Sequence, residues 1–393
     1  MSLITPILTT NTYTSMIIPT NSCCFFPIKR NYFFISLQIL LYIIAINGVE
    51  LAPQMADTTL FEGEGGGYYA WTSPALAEWR LGAGKLVLQP RGFAMPHYSD
   101  SAKIGYVIQG TCTVGVVSPN SPNENILIIK KGDAMLVPMG TLSWWFNGGD
   151  HLDAIIVFLG ETSQSYNPGQ IEYFALTGAI GFLQGFSSEF ITKIYNISEQ
   201  DSIKLAKSQT NGFILKLDDQ IRIPDDDSNS NKEKYVFSLD NLISSNVNAE
   251  ITADDFPLLE KIGLSASLMR LEPNSALGPS YSTDASNRIF YVIKGSGTIQ
   301  IVGLNGTQIL DAKLQQDQLF VVPKFFAIAQ LAGDEGLEFF SVITSSRPVI
   351  GQLFGNLSAW NALSSSVLQA SLNVDSHFVE FFKSNNGGDN HNF

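Results

Sequence analysis

Catalysis and metal binding need imidazoles, thiols, carboxylates or activated hydroxyls gathered at fitting distances, and this chain offers few such groupings. Its 393 residues hold four histidines, His97, His151, His377 and His391, and they are scattered. Of the three cysteines, Cys23 and Cys24 sit near the start and Cys112 stands alone in the body. The body therefore cannot close an internal disulfide, and no cysteine spacing suggests a metal site. Cys112 reads as a small buried apolar side chain in a strand. Gly63 to Gly67 is glycine-rich but lacks the Lys-Ser/Thr of a phosphate loop. Gly295-Ser296-Gly297 lacks the frame of a nucleophile elbow and falls at an expected strand turn. Asp225, Asp226 and Asp227 read as part of a solvated linker rather than a cation site. Asn196, Asn305 and Asn356 head glycosylation sequons, which matter only in a secreted chain.

The elements that would position these side chains occur twice. Tyr106-Val107-Ile108-Gln109-Gly110 recurs as Tyr291-Val292-Ile293-Lys294-Gly295, and Leu136-Val137-Pro138 recurs as Val321-Val322-Pro323. Gly110 and Gly295 are 185 residues apart, and so are Pro138 and Pro323. Upstream, Pro96-His97-Tyr98-Ser99 recurs as Pro279-Ser280-Tyr281-Ser282, two residues out of step. Two homologous modules follow. Each begins with a short alternating strand, Lys85 to Leu88 and Ala266 to Leu271. Each continues through β-branched and aromatic segments, 105–117 and 288–302, broken by glycine. Strands 126–129 and 308–310 follow, and strands 154–159 and 337–343 close the modules. Leu304-Asn305-Gly306-Thr307 predicts a type I′ hairpin turn. Each module ends in helices, 187–195 and 198–209 in the first, 358–370 and 376–383 in the second. Ser198 is the expected N-cap of its helix, with Asp201 in the first turn. Many short strands at even spacing mean a sandwich or barrel.

The composition narrows the class. The net charge of -13 and pI near 4.7 argue against a nucleic-acid partner. With 45% hydrophobic and 15% charged residues the chain can bury a large core. Residues 1–54 form an atypical segment in which Lys29 and Arg30 precede an apolar run from Tyr32 to Ile46. Three readings stand: a start placed upstream of the true one at Met55, a targeting peptide, or an anchor, although the run is shorter than the ~20 residues of a membrane span. The expected division is then 55–215 for the first barrel and its helices and 216–235 for an acidic linker. Residues 236–382 make the second barrel and its helices, and 383–393 a disordered tail. The lack of disulfides points to a cytoplasmic body that contacts no membrane, or a secretory or vacuolar one if residues 1–54 are a signal peptide.

Gly132-Asp133, Val137-Pro138, Gly140 and Asn147 match the second cupin motif, and Gly92 to Gly110 sits where the first belongs. Gly185-Phe186-Ser187-Ser188-Glu189-Phe190 and Leu368-Gln369-Ala370-Ser371-Leu372-Asn373-Val374 resemble the helical segments of legumin-type (11S) seed globulins. Gly66-Gly67-Tyr68-Tyr69-Ala70-Trp71 resembles the start of their non-secreted glutelin type-D-like branch. The resemblance covers residues 65–382. It implies a mainly all-β bicupin: two cupin jelly-roll β-barrels, each followed by a small helical extension, assembled as a homotrimer through those extensions.

A catalytic cupin holds its metal with three imidazoles and a carboxylate. Counting back from the motif glycine puts those positions on Pro96, Tyr98, Lys103 and Ser143, and in the second module on Tyr281, Thr283, Arg288 and Ile328. Aligning the Pro-x-Tyr-Ser segments instead moves the first two to Pro279 and Tyr281. No histidine lies between Gly278 and Pro348, and Lys103 and Arg288 are cations where a carboxylate is needed. The expectation is therefore no metal, no cofactor, no catalytic residue and no enzyme. His97, one residue off the ligand register, is expected on the opposite face as a surface or structurally bonded histidine. Lys103 and Arg288 could grip an acidic ligand, lie on a strand rim or pair with a neighbouring carboxylate, and Phe93, Trp144, Trp145, Phe146, Phe325 and Phe326 are lining or core. Lys103, Trp145, Arg288 and Phe326 are the candidate ligand-binding set. The resemblance implies a nutrient reservoir. A small-molecule-binding cupin is the alternative and a metal-dependent oxidase a remote one. The chain departs from bulk storage globulins in three ways. It has only seven arginines, it lacks the interchain cysteines, and Phe213 follows Asn211-Gly212 where the processing site would carry an acidic residue.

Overall fold

A computed structural model describes residues 51–119, 121–224, 232–243 and 248–386. The N-terminal segment to residue 50, with Cys23 and Cys24, and Asp225 to Asp227 lie outside them, as does His391. The strands of the first module are β1 (Thr58–Gly63), β2 (Gly66–Trp71), β3 (Leu81–Leu88), β4 (Gly92–Ser99), β5 (Ala102–Gln109), β6 (Thr111–Val117) and β7 (Asn125–Lys130). They continue with β8 (Asp133–Val137), β9 (Leu142–Phe146), β10 (Ala154–Glu161), β11 (Tyr173–Ala175), β12 (Ile214–Lys216) and β13 (Val236–Ser238). One sheet has the order β1-β2-β3-β10-β5-β8-β13 and the facing sheet β11-β4-β9-β6-β7, with β12 on β4. All pairs are antiparallel and the two sheets enclose a jelly-roll barrel.

The second module holds β14 (Asn248–Ile251), β15 (Ser265–Leu271), β16 (Ala276–Ser282), β17 (Arg288–Val302), β18 (Gln308–Gln315), β19 (Leu319–Val322), β20 (Ala327–Ile343) and β21 (Ile350–Gln352). Here β17 and β20 are long enough to run through both faces, so β17 pairs with β18, β19 and β20 in one connected sheet. The Asn305-Gly306 turn between β17 and β18 takes the positive φ at both residues that a type I′ turn requires.

Period-two alternation sorts the side chains of β5 between two cores. Val107 faces the interior of its own barrel with Leu86, Val114, Ile156 and Phe158. Ile104 and Tyr106 face the other way, into a core shared by both barrels with Trp71, Leu136, Ile289, Tyr291 and Phe340. Tyr106 and Tyr291, equivalent by the repeat, each donate to an aspartate held by a cation from the other barrel. Tyr106 bonds Asp240 at 3.0 Å, and Arg270 bonds the same carboxylate at 2.9 Å. Tyr291 bonds Asp317, which pairs with Lys85 at 3.2 Å.

The modules also exchange their leading residues. Gln54 makes a two-way backbone bridge with Leu319 on β19 of the second barrel, at 2.9 and 2.8 Å. In return β13 pairs with β8 of the first barrel, Phe237 opposite Ala134. The first residues of the expected second module, 236–238, thus complete the first barrel's sheet. The described part of the 216–235 segment is attached as well. Leu217 is buried, and Arg91 bonds the carbonyls of Leu217, Asp218 and Ile221. The expected disordered tail begins later than residue 383: a helix runs Ser376–Asn385, and Asn386 is buried against Ser358.

The helical extensions are Phe182–Gly185, Ser188–Tyr195 and Glu199–Lys207 after the first barrel and Ala359–Ala362, Ser365–Leu372 and Ser376–Asn385 after the second. Ser198 caps its helix through Asp201 N at 3.1 Å, as its sequence predicts. Among the described residues no helix is long and apolar enough to cross a membrane.

Candidate functional site

Chemistry in a barrel of this kind would take place on its inner face, and β4 decides which side chains reach it. A register irregularity between Ala94 and His97 in the pairing with β9 resets the alternation. His97 and Ser99 therefore point inward. Pro96 and Tyr98 do not, which corrects the ligand positions counted from the motif glycine. Tyr98 stacks outside on Phe174 at 5.1 Å. His97 is also neither a surface residue nor on the opposite face: it is 5% exposed and sits opposite Ser143. The inner position set of the first barrel is thus His97, Ser99, Lys103 and Ser143.

His97 Nδ1 lies 2.7 Å from the Met95 carbonyl. A carbonyl only accepts, so Nδ1 carries the proton and Nε2 keeps a lone pair. Burial holds the imidazole neutral and lowers its pKa to about 3, opposed by the Met95 bond and helped by the nearby Lys103. Lys103 is equally buried, not on a rim. Its Nζ donates to Ser99 Oγ at 2.8 Å and lies 4.3 Å from the Tyr173 ring centre. Burial lowers its pKa to about 7, against a small opposing pull from Asp100. The Tyr68 and Tyr173 hydroxyls share a hydrogen bond, and burial raises both phenols far above their usual range. Trp145 closes the floor, its Nε1 donating to Ser143 Oγ at 3.1 Å. The space left among Phe61, Tyr68, His97, Lys103, Trp145 and Tyr173 is only about 10 Å³, room for one water and no more. Phe93, Trp144 and Phe146 pack on the outer side of the sheet with Met95 and Leu215.

In the second barrel the inner positions are Ser280, Ser282, Arg288 and Ile328. Tyr281 and Pro279 are half-buried, and Thr283 is exposed with its hydroxyl donating to Val349 O, so these three expected positions are also corrected. Arg288 is 5% exposed. Its Nη1 donates to Ser280 Oγ at 3.1 Å, and Nη2 to the Ser280 carbonyl at 3.0 Å and the Phe326 carbonyl at 3.4 Å. Burial lowers its pKa to about 10, and it remains charged at neutral pH. Arg288 Nε, Ser282 Oγ and Gln330 Oε1 are buried without a hydrogen-bond partner. Phe326 contributes a carbonyl to Arg288, while its ring packs on the second core and lies 6.5 Å from Trp79.

Sequence reasoning thus found Lys103, Ser143, Trp145, Arg288 and Ile328, and missed His97, Ser99, Ser280, Ser282, Tyr68, Tyr173 and Gln330. The 183-residue spacing of Ser99 and Ser282 was the available signal. The donors do not fit a cupin metal. One imidazole, hydroxyls and an ammonium face inward in the first barrel. Hydroxyls, a guanidinium and an isoleucine do so in the second. Among the described residues no three His, Cys, Asp or Glu gather as a metal site. Cys112 is buried and its thiol is pushed up to about 12, which leaves it unreactive.

The cupin family profile matches residues 54–202 and 238–380. The 13S globulin seed storage protein 2 of Fagopyrum esculentum is 23% identical over 402 residues, 77% of this chain and 78% of that one. Glutelin type-D 1 of Oryza sativa is 22% identical over 76% of this chain and 77% of its own length. The crystal structure of procruciferin, the 11S globulin of Brassica napus, superposes with a TM-score of 0.79 at 21% identity, covering 88% of this chain and 97% of that one. Such relatives are seed storage globulins, a class secreted into protein storage vacuoles, and this corrects the expectation of a cytoplasmic protein.

Proposed function

Because the chain belongs to the cupin family, we propose that it is a storage-type bicupin, a nutrient reservoir that performs no catalysis. One observation carries the reading. Where a metal-dependent cupin needs a carboxylate, both barrels bury a basic side chain, Lys103 and Arg288. Neither supplies the negative charge that holds a metal ion, the Arg288 guanidinium repels one, and no second imidazole is at hand to offset this. The similarity to seed storage globulins supplies the rest. The first barrel's interior is too full for an organic substrate, which argues against an oxidase there. Elemental mass spectrometry of the purified protein after incubation with Mn, Fe, Cu and Zn tests the reading. A metal-to-protein ratio near zero is expected, and a ratio near one or two would overturn it. Quantitative proteomics of developing and germinating seed tests the storage role, with abundance expected to rise during filling and fall at germination.

The protein assembles as a homotrimer through its helical extensions in this reading. Phe186, Phe190 and Ile194 stand exposed on the first set of helices, and Leu357, Phe378 and Phe381 on or beside the second. Apolar side chains arrayed on two different surfaces suit a head-to-tail ring, in which one protomer's first set meets its neighbour's second set.

A further inference from the structure

The equivalent cations of the two barrels are treated differently. Lys103 bonds Ser99 Oγ, which in turn donates to the Ser101 carbonyl at 3.1 Å, so the hydroxyl is satisfied. An ammonium can also shed its proton when burial disfavours charge. A guanidinium cannot. Arg288 is buried with only Ser280 and a Phe326 carbonyl as partners, and no carboxylate of the described residues pairs with it. An uncompensated buried charge is among the costliest things a fold can hold. Beside it, the Nε–H of Arg288 has no acceptor, and Ser282, the counterpart of Ser99, has a hydroxyl with no partner.

We propose that the second barrel binds one small carboxylate anion on Arg288, held by the guanidinium Nε and the Ser282 hydroxyl. The terminal nitrogens of the guanidinium are already engaged, so one carboxylate oxygen would accept from Nε–H and the other from the Ser282 hydroxyl, and the anion carries the single negative charge that the site lacks. The side chains around it are smaller than in the first barrel. Ser280 stands in place of His97, and Gln330 in place of Trp145. The walls beyond are apolar: Phe290 lies 6.0 Å from the guanidinium and stacks on Phe320 at 4.9 Å. The occupant is therefore of the size of formate or acetate, without a polar tail. The inference does not depend on the storage role, and its test involves neither metal nor assembly.

Thermal melting of the full chain tests it, in sodium formate or acetate exchanged against sodium methanesulfonate at fixed ionic strength. The wild-type melting temperature should rise by equal steps for each tenfold increase of carboxylate above its dissociation constant. Arg288→Met should lose that response. Crystals of the wild-type chain grown in acetate provide the readout should the variant fail to fold, with acetate density expected within hydrogen-bond distance of Nε. An equal response in wild type and R288M, or a lone water in the density, would overturn the proposal. So would a response to phosphate in place of the carboxylates.

Discussion

His97 and Lys103 make the first barrel's stability depend on pH in the same direction. Each has a folded pKa below its unfolded value, about 3 against 6.5 and about 7 against 10.5. The unfolded state then binds more protons in each window, so stability rises with pH through it. The contribution of His97 is complete above 6.5 and is lost as pH falls towards 3. In His97→Gln the acid limb between those values should flatten in urea titrations. Lys103→Met should stabilise the protein at pH 6 by ~1–4 kcal/mol, because it removes a buried unpaired charge, and should abolish the rise in stability between pH 7 and 10.5. Phe325 is a different strain. It takes φ +67 where the equivalent Gly140 takes +72, and the residue is 58% exposed. Little burial repays the left-handed backbone, so Phe325→Gly should raise stability by about 0.5–1 kcal/mol in the same measurement.

At the scale of elements, the clearest test is the exchange between modules. Phe237→Pro removes a backbone donor from β13 and the ring that packs on the shared core, and should give an earlier denaturation midpoint. The strands were legible in the sequence because alternation and the 185-residue repeat are local signals that burial on two faces imposes. The inner positions were legible only in part. Lys103 and Arg288 lie a fixed distance before a turn glycine, so counting placed them. His97 was misplaced because the irregularity between Ala94 and His97 in β4 reverses parity, and nothing in Ala-Met-Pro-His announces it. Tyr173 and Phe213 reach the same cavity from segments far along the chain, as only the closed barrel can show. The exchange of Gln54 and Val236–Ser238 was illegible too, since a three-residue strand has no periodicity to read.

At the scale of the whole molecule, the exposed apolar helices predict the assembly. For the proposed head-to-tail trimer, Phe186→Asp and Phe381→Asp should each give a monomer in light scattering after size exclusion, with the melting of the barrels nearly unchanged. The reciprocal bridge of Gln54 to Leu319 and of β13 to β8 also sets a timetable for synthesis. A chain leaving the ribosome displays β8 with one edge open until residue 238 has emerged, although every other strand of that barrel is already out. Gln54 waits longer still, through some eighty further residues, before Leu319 appears to receive it. Open strand edges recruit other chains, and on a polysome the nearest other chains are copies of the same nascent protein. The N-terminal half therefore carries an aggregation-prone edge during that interval, and slow codons between the modules would lengthen its exposure.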